Sequence, residues 1–319
     1  MRNNRPFGLL AVAGCFALAG TALSVLGAYA GSYSRFLDLF GQFAIQAGLG
    51  ALGLTLYFAA LRRPVLASLS AAIAVASYFA ISIPSPVQPC VGVPTHRLLF
   101  FNVWDENTHT IPTVDFIAHQ NADTIVLAEV NARFRPAFAE LRKLYPYSIE
   151  CPDGDAEHEC QFYIYSRFPI ELHANEPRFW PLIEVTAAYP EATISLAGIH
   201  ALRPVPIHRH WYQRWQMRYF ACLIAETPRP RIIVGDFNAV SWGAIIKMVS
   251  QMTDVKPLPS RGTWFALAPW PLRIPIDQAL IDNGVTCAKK TVGPAAFSDH
   301  RPIWIDFALK PQASAKPSP

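Results

Sequence analysis

Three apolar stretches near the N-terminus constrain this chain more than anything else in it. Phe7–Ala30, Leu39–Leu61 and Pro64–Ile83 contain no Lys, Arg, Asp or Glu. A bilayer core needs about 20 consecutive apolar residues per helix, and each stretch is long enough. The expectation is a three-helix transmembrane segment over residues 1–84, with spans at about 7–30, 39–61 and 64–83. Asp38, Gln42 and Gln46 recur every four residues at the start of the second stretch, so they share one helical face with small residues nearby. No second intramembrane charge partners them, which favours helix–helix packing over a transport path.

Lys/Arg bias in short loops sets orientation. Arg2 and Arg5 precede the first stretch and Arg62–Arg63 separate the second from the third, whereas in the first loop Arg35 is offset by Asp38. The N-terminus is therefore expected inside a multi-pass cell (inner) membrane protein. The rest of the chain lies on the extracytoplasmic side, periplasmic in a bacterium. Ala28-Tyr29-Ala30 resembles a small-residue cleavage site, so a signal peptide is the alternative. The apolar run is long for one, and cleavage would leave two spans ending on the same side.

Composition then divides cleanly. Only 16% of the residues are charged, against roughly a quarter in an ordinary soluble domain. Residues 1–96 hold five arginines and one acid, and so carry the whole net charge of +4. The remainder has 22 basic and 22 acidic residues. After a linker at 85–96, residues 97–310 read as a neutral globular domain large enough for one core. The Pro/Ser/Ala/Lys-rich tail 311–319 is expected to be disordered. Of the cysteines, Cys151 and Cys160 bracket a polar loop and could close a short disulfide in an oxidising compartment. Their spacing does not suit a metal site.

Within the globular part, strands are expected at Arg97–Val103, Thr124–Val130, Gln161–Ser166, Leu182–Ala188, Thr193–His200, Arg231–Gly235, Pro275–Ile281 and Pro302–Phe307. Helices are expected at Pro112–Gln120, Ala132–Leu144, Ile207–Ala225 and Ser241–Ser250. Strands outnumber helices and some follow one another directly, as in a sheet-on-sheet core with helices outside. The Ile207–Ala225 helix carries His208, Arg209, His210, Arg214 and Arg218 with Trp211, Trp215 and Tyr219. In a neutral domain this reads as a solvated face opposite a packed one rather than a nucleic-acid patch.

One pattern recurs: an apolar strand runs into an acid, amide or imidazole. Such are Asn102, Glu129, His200, Asp236-Phe-Asn238, Asp277 and Ser298-Asp299-His300. One acid closing a strand is ordinarily a turn former; six such sites in one chain point to a cluster where strands end. Carboxylates and an amide without a Cys or His cluster are hard oxygen donors, favouring Mg²⁺ or Mn²⁺ over zinc. Two imidazoles beside carboxylates supply acid/base groups. Together these suit water attack on a phosphate ester.

Over about residues 97–308 the motifs resemble the endonuclease/exonuclease/phosphatase family, the deoxyribonuclease I-like metal-dependent phosphodiesterases. They run in order Asn102, Leu127-Ala-Glu-Val130, Ser166-Arg-Phe-Pro169, His200, Gly235-Asp-Phe-Asn238, Gly262-Thr-Trp264, Ile276-Asp277 and Ser298-Asp-His-Arg-Pro302. The resemblance implies an α/β fold, a four-layer sandwich. It implies that Glu129 binds the metal with Asn102 beside it, and that Asp299 is a further metal or water ligand. Asp236 would orient or deprotonate water, and Asn238 would steady the phosphorus. His300, oriented by Asp277, would contact phosphate or move a proton, and His200 would act near the leaving oxygen. Two departures stand out. Trp104 occupies a position where some members have an acid, which puts a second metal in doubt, and Gln278 follows Asp277 where His is frequent. The expected function is thus a membrane-anchored, divalent-metal-dependent phosphodiesterase acting on nucleic acid or phospholipid headgroups. A phosphomonoesterase or a catalytically silent scaffold is the alternative, and nothing points to a protein partner.

Overall fold

The computed structural model describes residues 8–82, 93–150, 162–176, 181–259 and 261–311. The N-terminal part is helical: α1 (Leu9–Ala30), α2 (Arg35–Gly41), α3 (Ala44–Ala60) and α4 (Pro64–Ile81). With 22 residues, α1 is about 33 Å long at 1.5 Å per residue, enough for a bilayer core. Among the described residues, two helices are long and apolar enough to cross a membrane, or up to three spans arise if the bent pair α2 and α3 counts as one. The second expected span is therefore not a straight helix, since α2 and α3 meet at 67°.

Contacts explain the bend. Gly41 lies against Gly27 of α1 so closely that a Cβ would come within 2.6 Å of the Gly27 carbonyl carbon, which pins α2 backbone to backbone on α1. Asp38 turns away from the helices. Its Oδ2 lies 2.8 Å from His210 Nε2, and its Oδ1 accepts the Ala244 N–H at 2.9 Å. Gln46 Nε2 donates to the Pro271 carbonyl at 2.7 Å. The expected role of Asp38 and Gln46 in helix–helix packing is thus corrected: both dock the helices onto the globular part. Trp242 Nε1 and Lys247 Nζ extend the seam by donating to the Gly41 and Ala28 carbonyls. Asp38→Ala strands a buried imidazole and a helix-terminal N–H. It is expected to cost about 1–3 kcal/mol, read as a lower unfolding temperature of the detergent-solubilised chain; an unchanged temperature would refute the docking role.

The globular part holds two six-stranded sheets. The first contains β1 (His96–Asn102), β2 (Thr124–Ala128), β3 (Tyr147–Ile149), β4 (Tyr163–Ser166), β11 (Val285–Val292) and β12 (Ile303–Leu309), in the order β11-β12-β1-β2-β4-β3. The second contains β5 (Ile170–Glu176), β6 (Leu182–Ala188), β7 (Thr193–His200), β8 (Arg231–Asp236), β9 (Lys256–Pro257) and β10 (Asp277–Ile281), in the order β5-β6-β7-β8-β10-β9. The helices are α5 (Thr110–Ala118), α6 (Ala139–Leu144), α7 (Arg209–Ala225) and α8 (Ala244–Thr253).

Alternation distributes the apolar runs over two faces. Leu98, Phe100 and Val126 point inward to meet Leu196, Ile232 and Val234 between the sheets. Leu99, Phe101 and Ile125 point outward onto Val114, Ile117 and Leu141 of α5 and α6. On the other side Ile199, Ile233 and Leu280 pack with Phe220, Ile224 and Val249 of α7 and α8. Burial on both faces is why central strands read as continuous hydrophobic runs.

The expected β6 and β7 bounds are met, and the other expected strands are met within a few residues. Four strands have no sequence counterpart: β3, β5, β9 and β11. Each lies at a sheet edge, where polar residues such as Glu171, His173, Lys289 and Lys290 break the apolar pattern. The expected helix Ala132–Leu144 is instead a 3-10 turn, Ala132–Phe134, followed by α6. Pro136, lacking an N–H, interrupts it. Along α7, Trp211, Tyr212 and Trp215 are exposed while Met217 and Phe220 are buried, as expected, but His210 is buried against Asp38. Cys15 and Cys222 are free and Cys287 is disulfide-bonded. Cys151 and Cys160, like residues 312–319, lie outside the described residues.

Candidate active site

Strand register assembles the site. On the second sheet, His200 at the end of β7 pairs with Asp236 at the end of β8, and Asp236 pairs with Asp277 at the start of β10. Three functional side chains therefore stand side by side at strand spacing, about 4.8 Å. On the first sheet, Asn102 ends β1 opposite Ala128, so Glu129 follows one residue later at the same sheet end. Gly235 is obligatory at this point: a Cβ there would overlap the Ile199 carbonyl of β7.

The two sheets meet through polar contacts. Asn102 Nδ2 donates to Glu129 Oε1 at 2.8 Å and to Asp236 Oδ2 at 3.3 Å. His200 Nε2 lies 3.0 Å from Glu129 Oε1 and 3.9 Å from Asp236 Oδ2. His300 Nδ1 faces Asp277 Oδ2 at 2.9 Å, which leaves Nε2 directed at Asp236 Oδ2, 3.6 Å away. The Asn238 backbone N–H donates to Asp236 Oδ1 at 2.8 Å, and its Nδ2 donates to the Ala201 carbonyl. The Asp299 carboxylate is held by Trp264 Nε1 at 3.1 Å, and its Oδ1 is 4.0 Å from His300 Nε2. Glu129, Asn238, Trp104 and Phe297 all have positive φ. Backbone strain of this kind in non-glycine residues gathers where side-chain placement matters more than local energy.

Electrostatics follow from burial and pairing. Burial would raise the Glu129 carboxyl, but the His200 imidazole and the Asn102 amide outweigh it and hold the group below the usual carboxylate range. Burial pushes Asp236 up to about 6, against the pull of His300. His300 is pushed up to about 10, because Asp277 and Asp236 overcome a desolvation that would lower it. His200 is raised likewise by Glu129, against its own burial.

Two triads can each offer ligand atoms within 4.8 Å of one another: Glu129–His200–Asp236 and Asp236–Asp277–His300. Asp299 belongs to neither, yet its Oδ1 is buried with no hydrogen-bond partner among the described residues. Glu129, Asp236, Asp277 and Asp299 exceed the two imidazoles in number even when both are protonated. A buried excess of carboxylate over cation is costly unless a further positive charge arrives. The residues thus fit a hard divalent cation.

All eight residues singled out from the sequence converge here. Gln278 does not join them; its amide donates to the Ala239 and Pro275 carbonyls, so its place after Asp277 is structural. Trp264, part of the Gly262-Thr-Trp264 motif but given no role from the sequence, holds Asp299 through its indole. Lys290, on edge strand β11, escaped the sequence reading and donates to the Asp277 backbone carbonyl. Both contacts join separate segments, so no local signal announces them.

Comparison with known proteins places this geometry. The sequence model described as the Endonuclease/Exonuclease/phosphatase family matches residues 99–300. No curated protein matches the chain by sequence. Among solved structures, similarity extends to a Staphylococcus aureus beta toxin variant with bound magnesium ions, at 16% identity and TM-score 0.50, covering 66% of this chain and 99% of that one. Sphingomyelinase C from Streptomyces griseocarneus matches at 16% identity and TM-score 0.50 with the same coverages. D. rerio TDP2 complexed with a single-strand DNA product matches at 16% identity and TM-score 0.52, covering 67% of this chain and 99% of that one. At these identities the likeness is one of fold.

Proposed function

The chain belongs to the endonuclease/exonuclease/phosphatase family, and from that premise we propose that it is a membrane-anchored, divalent-metal-dependent phosphodiesterase. The observation that carries the reading is the register-aligned row His200–Asp236–Asp277 facing Asn102 and Glu129. In this reading residues 97–310 form a four-layer catalytic sandwich, and the apolar helices anchor it on the extracytoplasmic side.

Glu129, with Asn102 beside it and Asp299 nearby, would hold Mg²⁺ or Mn²⁺. The cation supplies charge neutralisation at the phosphate and polarises its oxygens. Asp236, pushed up to about 6, is a base whose proton affinity lies near neutrality, where general-base catalysis is effective. It takes the proton of the attacking water. Asn238 steadies charge on the phosphoryl oxygens. Asp277 fixes the His300 ring and its proton, so Nε2–H donates to the phosphate. His200, its proton affinity raised by Glu129, gives a proton to the departing oxygen. Titratable groups with separated proton affinities thereby divide the acid and base roles.

The test uses purified full-length protein with Mg²⁺ or Mn²⁺ against plasmid DNA, RNA, phospholipid vesicles and bis(p-nitrophenyl) phosphate. Diester hydrolysis is expected to fall by at least about 10²-fold in EDTA and to return when Mg²⁺ is restored. Hydrolysis that survives EDTA, or no hydrolysis with any substrate, would overturn the reading; release from monoesters alone would make the protein a phosphatase. Sidedness is tested by protease added to intact cells freed of any outer barrier. Degradation of the globular part is expected, and full protection would place it inside.

A further inference from the structure

An apolar cavity of about 300 Å³ adjoins the site. Its walls include His300 and Asn238 from the candidate active site, and also Leu39 and Phe43 from the N-terminal helices, with Trp264 and Ile274. One space is thus shared by a phosphate-binding constellation and by residues at the head of an apolar helix pair. A volume of this size falls within the range of small-molecule pockets; Arg203 is the one Lys or Arg in its lining, and the rest of the wall is mostly hydrocarbon, where a polynucleotide would need a row of cations.

The same loop that supplies Trp264 and Ile274 also reaches the apolar helices. Trp270 lines a second apolar cavity with Leu49, Leu52 and Tyr78, and Gln46 ties α3 to the Pro271 carbonyl. Leu267, Trp270 and Leu272 are 76%, 59% and 60% exposed. Large apolar side chains left bare beside apolar helices are in their proper solvent when the surroundings are the interfacial edge of a bilayer. The cavity therefore lies between the candidate reacting groups and the apolar helices.

We propose that the substrate is a phosphoester bearing a long hydrocarbon chain, drawn from the membrane. Its phosphate sits at His300 and Asn238, and the start of its chain lies in the cavity walled by Leu39, Phe43, Trp264 and Ile274. The proposal rests on the phosphoesterase reading and names its substrate class. The step is hydrolysis: the water oxygen bonds to phosphorus, one P–O ester bond breaks, and a proton passes to the departing oxygen, with no change of oxidation state.

The test measures kcat/KM of the full-length protein with Mg²⁺ for p-nitrophenyl phosphodiesters carrying methyl, butyl and octyl esters, alongside p-nitrophenyl thymidine phosphate. Each methylene that enters the cavity is expected to raise kcat/KM by about threefold to fourfold, until the cavity is filled. In Leu39→Trp, which fills the cavity, the octyl-to-methyl ratio is expected to drop at least about tenfold. Chain partitioning into detergent affects both proteins equally, so the change in ratio isolates the cavity. The wild-type series stands by itself should the variant fail to fold. A flat wild-type series, an unchanged ratio in a folded Leu39→Trp, or preference for the thymidine ester overturns the proposal while the phosphoesterase reading stands. No cleavage of any ester overturns that reading, and the proposal with it.

Discussion

Asp236→Ala is expected to lower kcat for diester hydrolysis by at least about 10²-fold, the usual scale for losing a positioned acid/base group. Several structural links converge on this carboxylate. It accepts the Asn238 N–H and the Asn102 amide, and both imidazoles lie within 4 Å of its Oδ2. Removing it therefore deletes the proposed base and also the acceptor that holds the Asn238 N–H. Asp236→Asn keeps the shape and loses only the proton acceptor, so a comparable loss in that variant assigns the effect to chemistry. Both are measured under saturating substrate, with thermal unfolding as the control for folding. Activity within about threefold of wild type in a folded Asp236→Asn would rule out a general-base role.

The second large effect is at His300. His300→Ala is expected to cost about 10²-fold or more, and Asp277→Asn to cost less, because Asp277 acts through the ring it orients at 2.9 Å. Residues that act as one unit are not additive. The double variant should be no slower than His300→Ala alone. A pH profile separates this from a purely structural role. In the wild type the His300 proton is retained up to about pH 10, with Asp277 the principal group raising it against burial. Removing the Asp277 charge lowers the proton affinity of the ring from there, while Asp236 and Asp299 still raise it against burial. Activity that needs the protonated ring then declines at a lower pH than in the wild type. Additive losses, or an unshifted profile in Asp277→Asn, would break the assignment.

The site residues were readable because strand and site share a local code. A run such as Ile232-Ile-Val-Gly leading into Asp236 places a carboxylate at the end of a doubly buried strand, and the order of such ends identifies the family. The edge strands β5 and β11 were not readable. An edge strand buries too little to need an unbroken apolar pattern, and Lys289 or Glu171 hides it. The bend between α2 and α3 was invisible for another reason. Residues 39–61 carry no charged side chain, and hydropathy reports a solvent preference without reporting direction.

The sequence by itself determined that apolar helices precede a neutral α/β part, and which polar residues would gather at its strand ends. Those facts follow from residue type and short-range spacing alone. Only the tertiary structure decided how the two parts meet. Asp38 finds His210 at a separation of 172 residues, and Leu39 and His300 line one cavity. No local pattern encodes such pairs, because they arise from the register of two sheets and from a helix bent by backbone contact. The physical consequence is a row of polar strand-end residues that shares its apolar wall with the helices beside it.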